Sequence, residues 1–482
     1  MREIRIPVLR RGQLYQSLDV QEVRDQRNGA VLASTMQANS GLIRRDLRKI
    51  QESFEVLQSV PIHELLSISR KAGELFMYEA LPIDEAGNTL TPQEYVEFLS
   101  ATSGLPHNLC RRNMSKIYEV FTEMPTILGG LTRGLDPEVL DTGYGEQSGS
   151  PVSFYPAAKS LGVVLPSNSP GVNSIWMPAV ALKIPVVLKP GREEPWTPYR
   201  IIQAFIAAGC PPEAFCFYPT SHEGSSTIMS ACDRSIIFGD EHTIAQYAGN
   251  PAVQAHGPGW SKILIGTDQV EHWQDYLDLI AASVVQNGGR SCINASAVVT
   301  PAHGREIADA LARRLAEIHP EPPDSEEAVL SAFANSAFAD SIDHMIEEGL
   351  RTPGAVDLTA QYRNAPRRVE FQGSTYLLPT VIWCESFSHP LANREFLFPY
   401  TSVVELPQEE MIETIGSSLV VTAITEDPVF TRQILQASNI QRLNIGAIPT
   451  SQVRWDQPHE GNLFEFLYQR RAIQIARSTV TA

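Results

Sequence analysis

Gln286-Asn287-Gly288-Gly289-Arg290-Ser291-Cys292-Ile293-Asn294-Ala295 is the stretch around which the rest of the chain is read. Paired glycines let a backbone bend sharply and let another chain or a ligand come close. The thiol of Cys292 follows directly, and an apolar, strand-like run, Ala295 to Val299, comes after it. An amphipathic run, Trp273 to Ile280, lies ahead. Helix, glycine bend, cysteine and strand in that order suit a nucleophile held at a cleft. A lone cysteine is more often a small buried hydrophobe, so the local stretch does not decide by itself.

The bulk numbers narrow the classes. The chain has 482 residues, enough for two or three domains, and 43% of them are hydrophobic, ample for a large core. A net charge of −17 disfavours nucleic acid and anionic membrane as partners. An anionic small molecule would need a local positive pocket, which bulk charge does not exclude. The six cysteines (Cys110, Cys210, Cys216, Cys232, Cys292 and Cys384) show no C-x-x-C spacing and no nearby His cluster. No metal site and no disulfide framework is expected from them. The N-terminus lacks a secretory signature, and the longest apolar run, Ile175 to Leu188, is cut by Pro178 and Pro185 and carries Lys183. A cytoplasmic protein with no membrane span is expected.

Along the chain, residues 1 to about 135 read as helical after a short extended start, with Leu47, Ile50, Phe54 and Leu57 at helical spacing. Thr91-Pro92-Gln93-Glu94 is a capping box with proline at the first helical position. From Gly143 the texture changes. Val152 to Tyr155 reads as a strand, and then short apolar strands alternate with helices. The strands are Leu161–Leu165, Val186–Leu188 and Ser235–Phe238; the helices are Gly171–Ala181, Pro198–Ala208 and His242–Tyr247. A second alternating block follows, with a helix marked by Ile307, Leu311, Leu315 and Ile318. Its strands are near 376–378, 381–383, 402–406 and 419–424, with a helix from Pro428 to Ser438 and a last strand near Leu443. The tail Arg471 to Ala476 alternates and reads as a terminal strand. Such alternation predicts an α/β chain with doubly wound parallel sheets, in which ligands sit at the carboxyl ends of the strands.

The strand-end loops carry the chemistry. Leu165-Pro166-Ser167-Asn168-Ser169-Pro170 is stiffened by two prolines and offers the Asn168 amide. An amide donor with a backbone N–H suits the oxyanion formed when a thiolate attacks a carbonyl; an Asx turn explains Asn168 equally. Lys189-Pro190-Gly191-Arg192 puts two cations at a strand end, fit for a phosphate or for a solvated loop. Phe238-Gly239-Asp240 opens another strand-to-helix turn, without a G-x-G-x-x-G fingerprint. Glu395, in Arg394-Glu395-Phe396-Leu397-Phe398-Pro399, stands among aromatic residues and reads alone as a surface charge or ion-pair partner.

Taken together, in this order and spacing, these stretches resemble the aldehyde dehydrogenase superfamily over roughly residues 140 to 482. The resemblance implies Cys292 as the nucleophile, with Asn168 and the Cys292 N–H as its oxyanion hole. Lys189 would touch the adenosine ribose or its phosphate and Glu395 the nicotinamide ribose, with Pro166, Ser167 and Gly239 lining the same cofactor. It implies two doubly wound parallel-sheet domains and a small β oligomerisation flap. The NAD(P)-binding domain would take 1–140, with its helical region, and 161–265. The catalytic domain would take 266–462, and the flap 141–160 with 463–482. A homodimer or homotetramer is expected.

Two departures matter. Hydrolytic members of the family carry a general-base glutamate where this chain reads Ala255-His256-Gly257-Pro258-Gly259-Trp260-Ser261-Lys262, with no carboxylate. Water attack on a thioester needs a base, whereas a thiol such as coenzyme A needs less help. That stretch, with Trp455 to Asn462 and Tyr468 to Ala472, is similar to the long-chain acyl-CoA reductases of bacterial bioluminescence. Arg192 stands where NAD-preferring members have a glutamate, which favours the 2′-phosphate of NADP over NAD. Asp240 falls where a pyrophosphate would meet a helix N-terminus, and is read either as a misfit there or as that helix's cap. His256 and His459 are spare proton-transfer candidates; His256 is read as structural, and His459, next to Glu460, as a second-tier candidate. The expected function is an NADPH-dependent acyl-CoA reductase that forms an aldehyde through a Cys292 thioester, with coenzyme A as co-substrate. The alternatives are an NAD(P)-dependent aldehyde dehydrogenase giving the free acid, or a silent protein on the same fold.

Overall fold

A computed structural model of the protein describes residues 4–476. Two seven-stranded sheets organise it. In the first, the strands Val253–His256, Arg234–Phe238, Leu161–Val164, Val186–Lys189 and Phe215–Phe217 lie side by side and parallel. The hairpin Val8–Arg10 and Gln13–Tyr15 extends that sheet antiparallel. In the second, Thr380–Cys384, Tyr400–Glu405, Ala297–Thr300, Lys262–Ile265, Ser418–Ile424 and Ile440–Ile445 are parallel. Ala355–Asp357 closes its edge antiparallel. The strands are short, apolar and β-branched because helices cover both faces, so nothing along them alternates with solvent. Leu161–Val164, Lys262–Ile265, Ala297–Thr300 and Ser418–Ile424 are buried at every position.

A third, three-stranded sheet joins Tyr144–Gln147, Ser150–Pro156 and Tyr468–Arg471, all antiparallel. The terminal strand thus starts three residues before the expected Arg471, because its register against Ser150–Pro156 runs from Tyr468 to Arg471. Residues 472–476 are irregular, and the part of the expected flap at 477–482 lies outside the described residues.

Elsewhere the elements sit close to their predicted places, with informative exceptions. The extended start is longer than expected. Besides the hairpin, Ile4–Ile6, Val20–Arg24 and Val31–Met36 make a separate sheet. Strands of three to six residues offer too few positions for periodicity to register. The capping box forms as read: Thr91 accepts from the Glu94 N–H, and Glu94 accepts from the Thr91 N–H at 2.8 Å. Gly171–Ala181 is no single helix. It is a 3-10 segment, Pro170–Ile175, then a short helix, Pro178–Ala181, because Pro178 cannot supply an N–H to a continuing turn. The helix Ser336–Leu350, capped by Asn335, was not foreseen, although Ala339, Ile342, Ile346 and Gly349 carry its buried stripe. Among the described residues no helix is long and apolar enough to cross a membrane.

Candidate active site

The Gly288-Gly289 bend is required by its surroundings. Asn287, Gly288 and Gly289 are all left-handed, with φ of 52°, 65° and 70°. A Cβ on Gly288 would stand 2.2 Å from Ser331 Oγ, and one on Gly289 would stand 2.3 Å from Phe398 C and Pro399 N. The bend is therefore wedged between two other segments. Its next residue, Arg290, is buried and donates to the carbonyls of Ser103, at 2.8 Å, and Ala332. The guanidinium thus ties the bend to the N-terminal helices and to the segment around Ala332 at once. Asn294 closes the turn by accepting from Ser291 N–H at 2.8 Å and donating to the carbonyls of Ser283 and Gln286. The Cys292 carbonyl accepts from Ser261 Oγ at 2.8 Å.

What this scaffold presents is one accessible thiol. Cys110, Cys210, Cys216, Cys232 and Cys384 are buried, and Cys292 alone is partly exposed. It opens on a cavity of about 1060 Å³ between the two sheets. Burial, then the nearby carboxylates of Glu395 and Glu460, push its thiol up to about 12, against the pull of Lys116. These surroundings favour the protonated thiol over the thiolate.

Around the sulfur stand groups from both halves. Asn168 spends one amide hydrogen on the Arg290 carbonyl at 3.0 Å, which fixes the amide against the bend that carries Cys292. Glu395 reaches in from its aromatic loop, and one of its oxygens accepts from the N–H groups of Gly259 and Trp260, both at 2.8 Å. Burial raises this carboxyl to about 8, while those two N–H groups and Lys262 oppose the rise. Lys262 itself, buried and donating to the Trp260 carbonyl and Ser418 Oγ, is lowered by burial to about 7. Gly259 lies directly behind Cys292: a Cβ there would sit 2.0 Å from the Cys292 carbonyl oxygen.

Five of the predicted site residues line this cavity: Cys292, Asn168, Pro166, Gly239 and Glu395. Ser167, Lys189 and Arg192 lie outside it. The Ser167 hydroxyl accepts from the Glu193 N–H at 3.3 Å and so joins two strand-end loops. Lys189 is half-buried beside Glu193, its ammonium lowered by burial. Arg192 is exposed. Asp240 caps the short helix Glu241–Ala245 by accepting from Thr243 N–H at 2.8 Å. The capping alternative is therefore the one realised.

Three residues gain weight that their local sequence did not give them. His256 Nδ1 is hydrogen-bonded to Glu460, and its ring stacks on Phe238 with centroids 4.9 Å apart. Its Nε2 is buried and has no partner among the described residues. His459 Nδ1 accepts from Arg442 at 3.1 Å, and burial with the nearby cations holds it well below the usual imidazole range. Lys116, from the helix His107–Thr122, faces the cavity with its ammonium lowered by burial. No spacing links residue 116, 256 or 459 to Cys292; only the tertiary fold brings them to one cavity. Among the described residues no group of three or more His, Cys, Asp or Glu side chains is arranged to hold a metal ion.

Fold and site meet in the comparisons with known proteins. The model of the aldehyde dehydrogenase family matches residues 15–447, and the chain belongs to that family, whose members are NAD(P)-dependent oxidoreductases acting on aldehydes. Solved structures share the fold at low identity. The NAD+ complex of an aldehyde dehydrogenase from Bacillus cereus is 17% identical, covers 97% of this chain and 96% of its own, and superposes with a TM-score of 0.77. An NAD-dependent benzaldehyde dehydrogenase from Corynebacterium glutamicum is 18% identical over 98% and 97% of the two chains, with a TM-score of 0.76. An E. coli NADP-dependent enzyme is 14% identical over 97% of each, with a TM-score of 0.75. At such identities the likeness is one of fold. No curated protein matches.

Proposed function

We propose that the protein is an NADPH-dependent acyl-CoA reductase that forms an aldehyde through a thioester on Cys292. One observation carries the reading: both carboxylates near Cys292 are already engaged, Glu395 through one oxygen by two backbone N–H groups and Glu460 through His256. The loop Gly257-Pro258-Gly259 that backs onto the nucleophile brings none of its own. A thioester in such a site resists water and yields to a second thiol, whose sulfur is intrinsically more nucleophilic.

Cys292 Sγ would attack the acyl carbonyl of the CoA ester, and the CoA sulfur would leave. Asn168, with the Cys292 N–H, would steady the oxyanion of each tetrahedral species. A bound nicotinamide dinucleotide supplies the hydride. The residues present fit it: the loops 165–170, 189–193 and 238–240 all stand at carboxyl ends of parallel strands, where such sheets bind ligands. Pro166, Ser167, Gly239 and Glu395 would hold it, with Lys189 near the adenosine ribose. Arg192, exposed and without a side-chain partner among the described residues, would take the 2′-phosphate that distinguishes NADP from NAD. The sheet of Tyr144–Gln147, Ser150–Pro156 and Tyr468–Arg471 would join subunits as a homodimer or homotetramer.

A second reading has its own support. A carboxyl raised to about 8, as Glu395 is, lies in the range of a general base. Oxidation of an aldehyde to the free acid with NAD(P)+ follows if Glu395 swings away from Gly259 and Trp260. The test is a paired assay with NADPH and NADH over acyl-CoAs of increasing length, reading aldehyde and free CoA. Acid formed at full rate from aldehyde and NAD(P)+ without CoA refutes the acylating reading. Binding without turnover on either panel refutes both.

A further inference from the structure

We propose that Lys116, backed by Arg442, is an anion subsite in the Cys292 cavity and takes a carboxylate carried on the acyl chain of the substrate. The substrate class is then the mono-thioester of a dicarboxylic acid, reduced to its semialdehyde. The subsite rests on the acyl-CoA reading for the thioester alone; the aldehyde end of the same reaction suffices to test it.

The helix His107–Thr122 sets the placement. Asn113 donates to Asn287 Oδ1 at 2.8 Å, which docks this helix on the bend that carries Cys292. Lys116 follows three residues on, on the same helix face, and lines the cavity with Cys292. Gly171 lets the helix come this close: a Cβ there would stand 2.9 Å from Asn113 Oδ1 and 3.5 Å from Lys116 Nζ. Lys116 makes no hydrogen bond and no salt bridge with any described residue. The fully buried lysines are satisfied by contrast: Lys183 by Asp141 and the Gln58 carbonyl, Lys262 by the Trp260 carbonyl and Ser418. An ammonium drawn out of water without a partner is costly, and at a cavity wall it points to an anion supplied by a ligand. Burial lowers the Lys116 ammonium, and a bound carboxylate would favour its charged form again.

A second cation stands behind the first. Arg442, on the strand Ile440–Ile445, donates to His459 Nδ1 at 3.1 Å and to the Gln452 carbonyl at 3.4 Å. It pairs with no carboxylate among the described residues. Lys116, Arg442 and the Cys292 sulfur act on one another electrostatically. The acids of this region are engaged elsewhere. Glu119 accepts from Trp455 Nε1 at 3.2 Å, Glu460 is bonded to His256, and Glu395 accepts from Gly259 and Trp260. Val172, after Gly171, and Ile293, after Cys292, give the same cavity apolar wall for the methylenes of a chain. In a protein of net charge −17, local cations are what would draw an anionic substrate in. The helix that carries Lys116 bears none of the strand-end loops assigned to the cofactor.

The test needs neither coenzyme A nor nicotinamide. An aldehyde adds reversibly to the Cys292 thiol, and the adduct resists iodoacetamide. Protection of the Cys292 peptide is followed by mass spectrometry with the semialdehydes of succinate, glutarate and adipate, each against the alkanal of equal chain length. At least one semialdehyde is expected to protect at a concentration about tenfold below that of its alkanal, the worth of one charge-assisted contact. Lys116→Met is expected to abolish that ratio, which a merely structural lysine would not move, and Lys116→Arg to keep most of it. Arg442→Gln is expected to lower the ratio, and decides with the wild type if Lys116→Met does not fold. Equal protection by both series in the wild type, or a ratio unchanged in the variants, overturns the proposal. So does weaker binding of CoA or NADPH to Lys116→Met with no semialdehyde preference in the wild type, which gives the cation to a phosphate instead. A semialdehyde preference in an enzyme that makes no aldehyde from acyl-CoA leaves the subsite standing and removes the acyl-CoA reading.

Discussion

Replacing Asn168 by Ala tests the oxyanion assignment with a magnitude that the geometry supplies. The amide makes one hydrogen bond to protein, to the Arg290 carbonyl at 3.0 Å. That carbonyl lies beside a cavity large enough for water to replace the lost donor. The stability cost is therefore that of one ordinary hydrogen bond, about 1 kcal/mol. The remaining amide hydrogen has no acceptor among the described residues. If it serves the oxyanion, its loss costs about 10²–10³ in kcat, roughly 3–4 kcal/mol. The two costs differ enough to separate. Steady-state kinetics and thermal unfolding on the same preparation are expected to show a large fall in kcat with a small fall in Tm. A kcat within threefold of wild type would refute the role. A fall in kcat matched by gross loss of stability would make Asn168 a structural anchor instead.

Gly289→Ala forces a left-handed alanine and a Cβ 2.3 Å from the Phe398–Pro399 backbone. It is expected to cost about 2–5 kcal/mol in chemical unfolding; a loss under about 1 kcal/mol would show that the bend is not wedged. Native protein should take up one equivalent of a thiol reagent and Cys292→Ala none, since the other five cysteines are buried; labelling of the variant would contradict this. Glu194, buried and bonded to Thr197, has its carboxyl raised by burial to about 8. A folded-state value above the unfolded one means stability is fully present below about pH 4.5 and is lost as pH rises toward 8. Glu194→Gln should therefore unfold at a temperature that falls less than that of wild type between pH 5 and 8. Parallel curves would show that the folded carboxyl is not raised.

Much of this was legible in the chain. Alternating strands and helices gave the two parallel sheets, because buried parallel strands are short apolar runs that stand out between amphipathic helices. The Gly288-Gly289 pair signalled a tight bend ahead of Cys292, and the structure shows that bend wedged between two other segments. The Asn168 loop could be placed because it follows an apolar strand. What escaped depended on distance in sequence. The hydrogen bond between His256 and Glu460 joins residues far apart in the chain, so His256 read as a core histidine. Glu395 was placed at the site only through the family resemblance; its own stretch reads as a surface charge, because nothing near it signals that Gly259 and Trp260 would hold it. The helix Ser336–Leu350 escaped although its buried positions recur at helical spacing. Phe338 and Met345 sit on its exposed face and line the cavity, which blurred the stripe.

The central claim is that Cys292 carries an acyl group and passes it to a thiol rather than to water. Rapid-quench mass spectrometry after mixing the protein with an acyl-CoA, without nicotinamide cofactor, measures this directly. An acyl adduct confined to the Cys292 peptide, stable in buffer and discharged on adding CoA, is the predicted result. An adduct lost to water as fast without CoA as with it, or no adduct at Cys292, contradicts it.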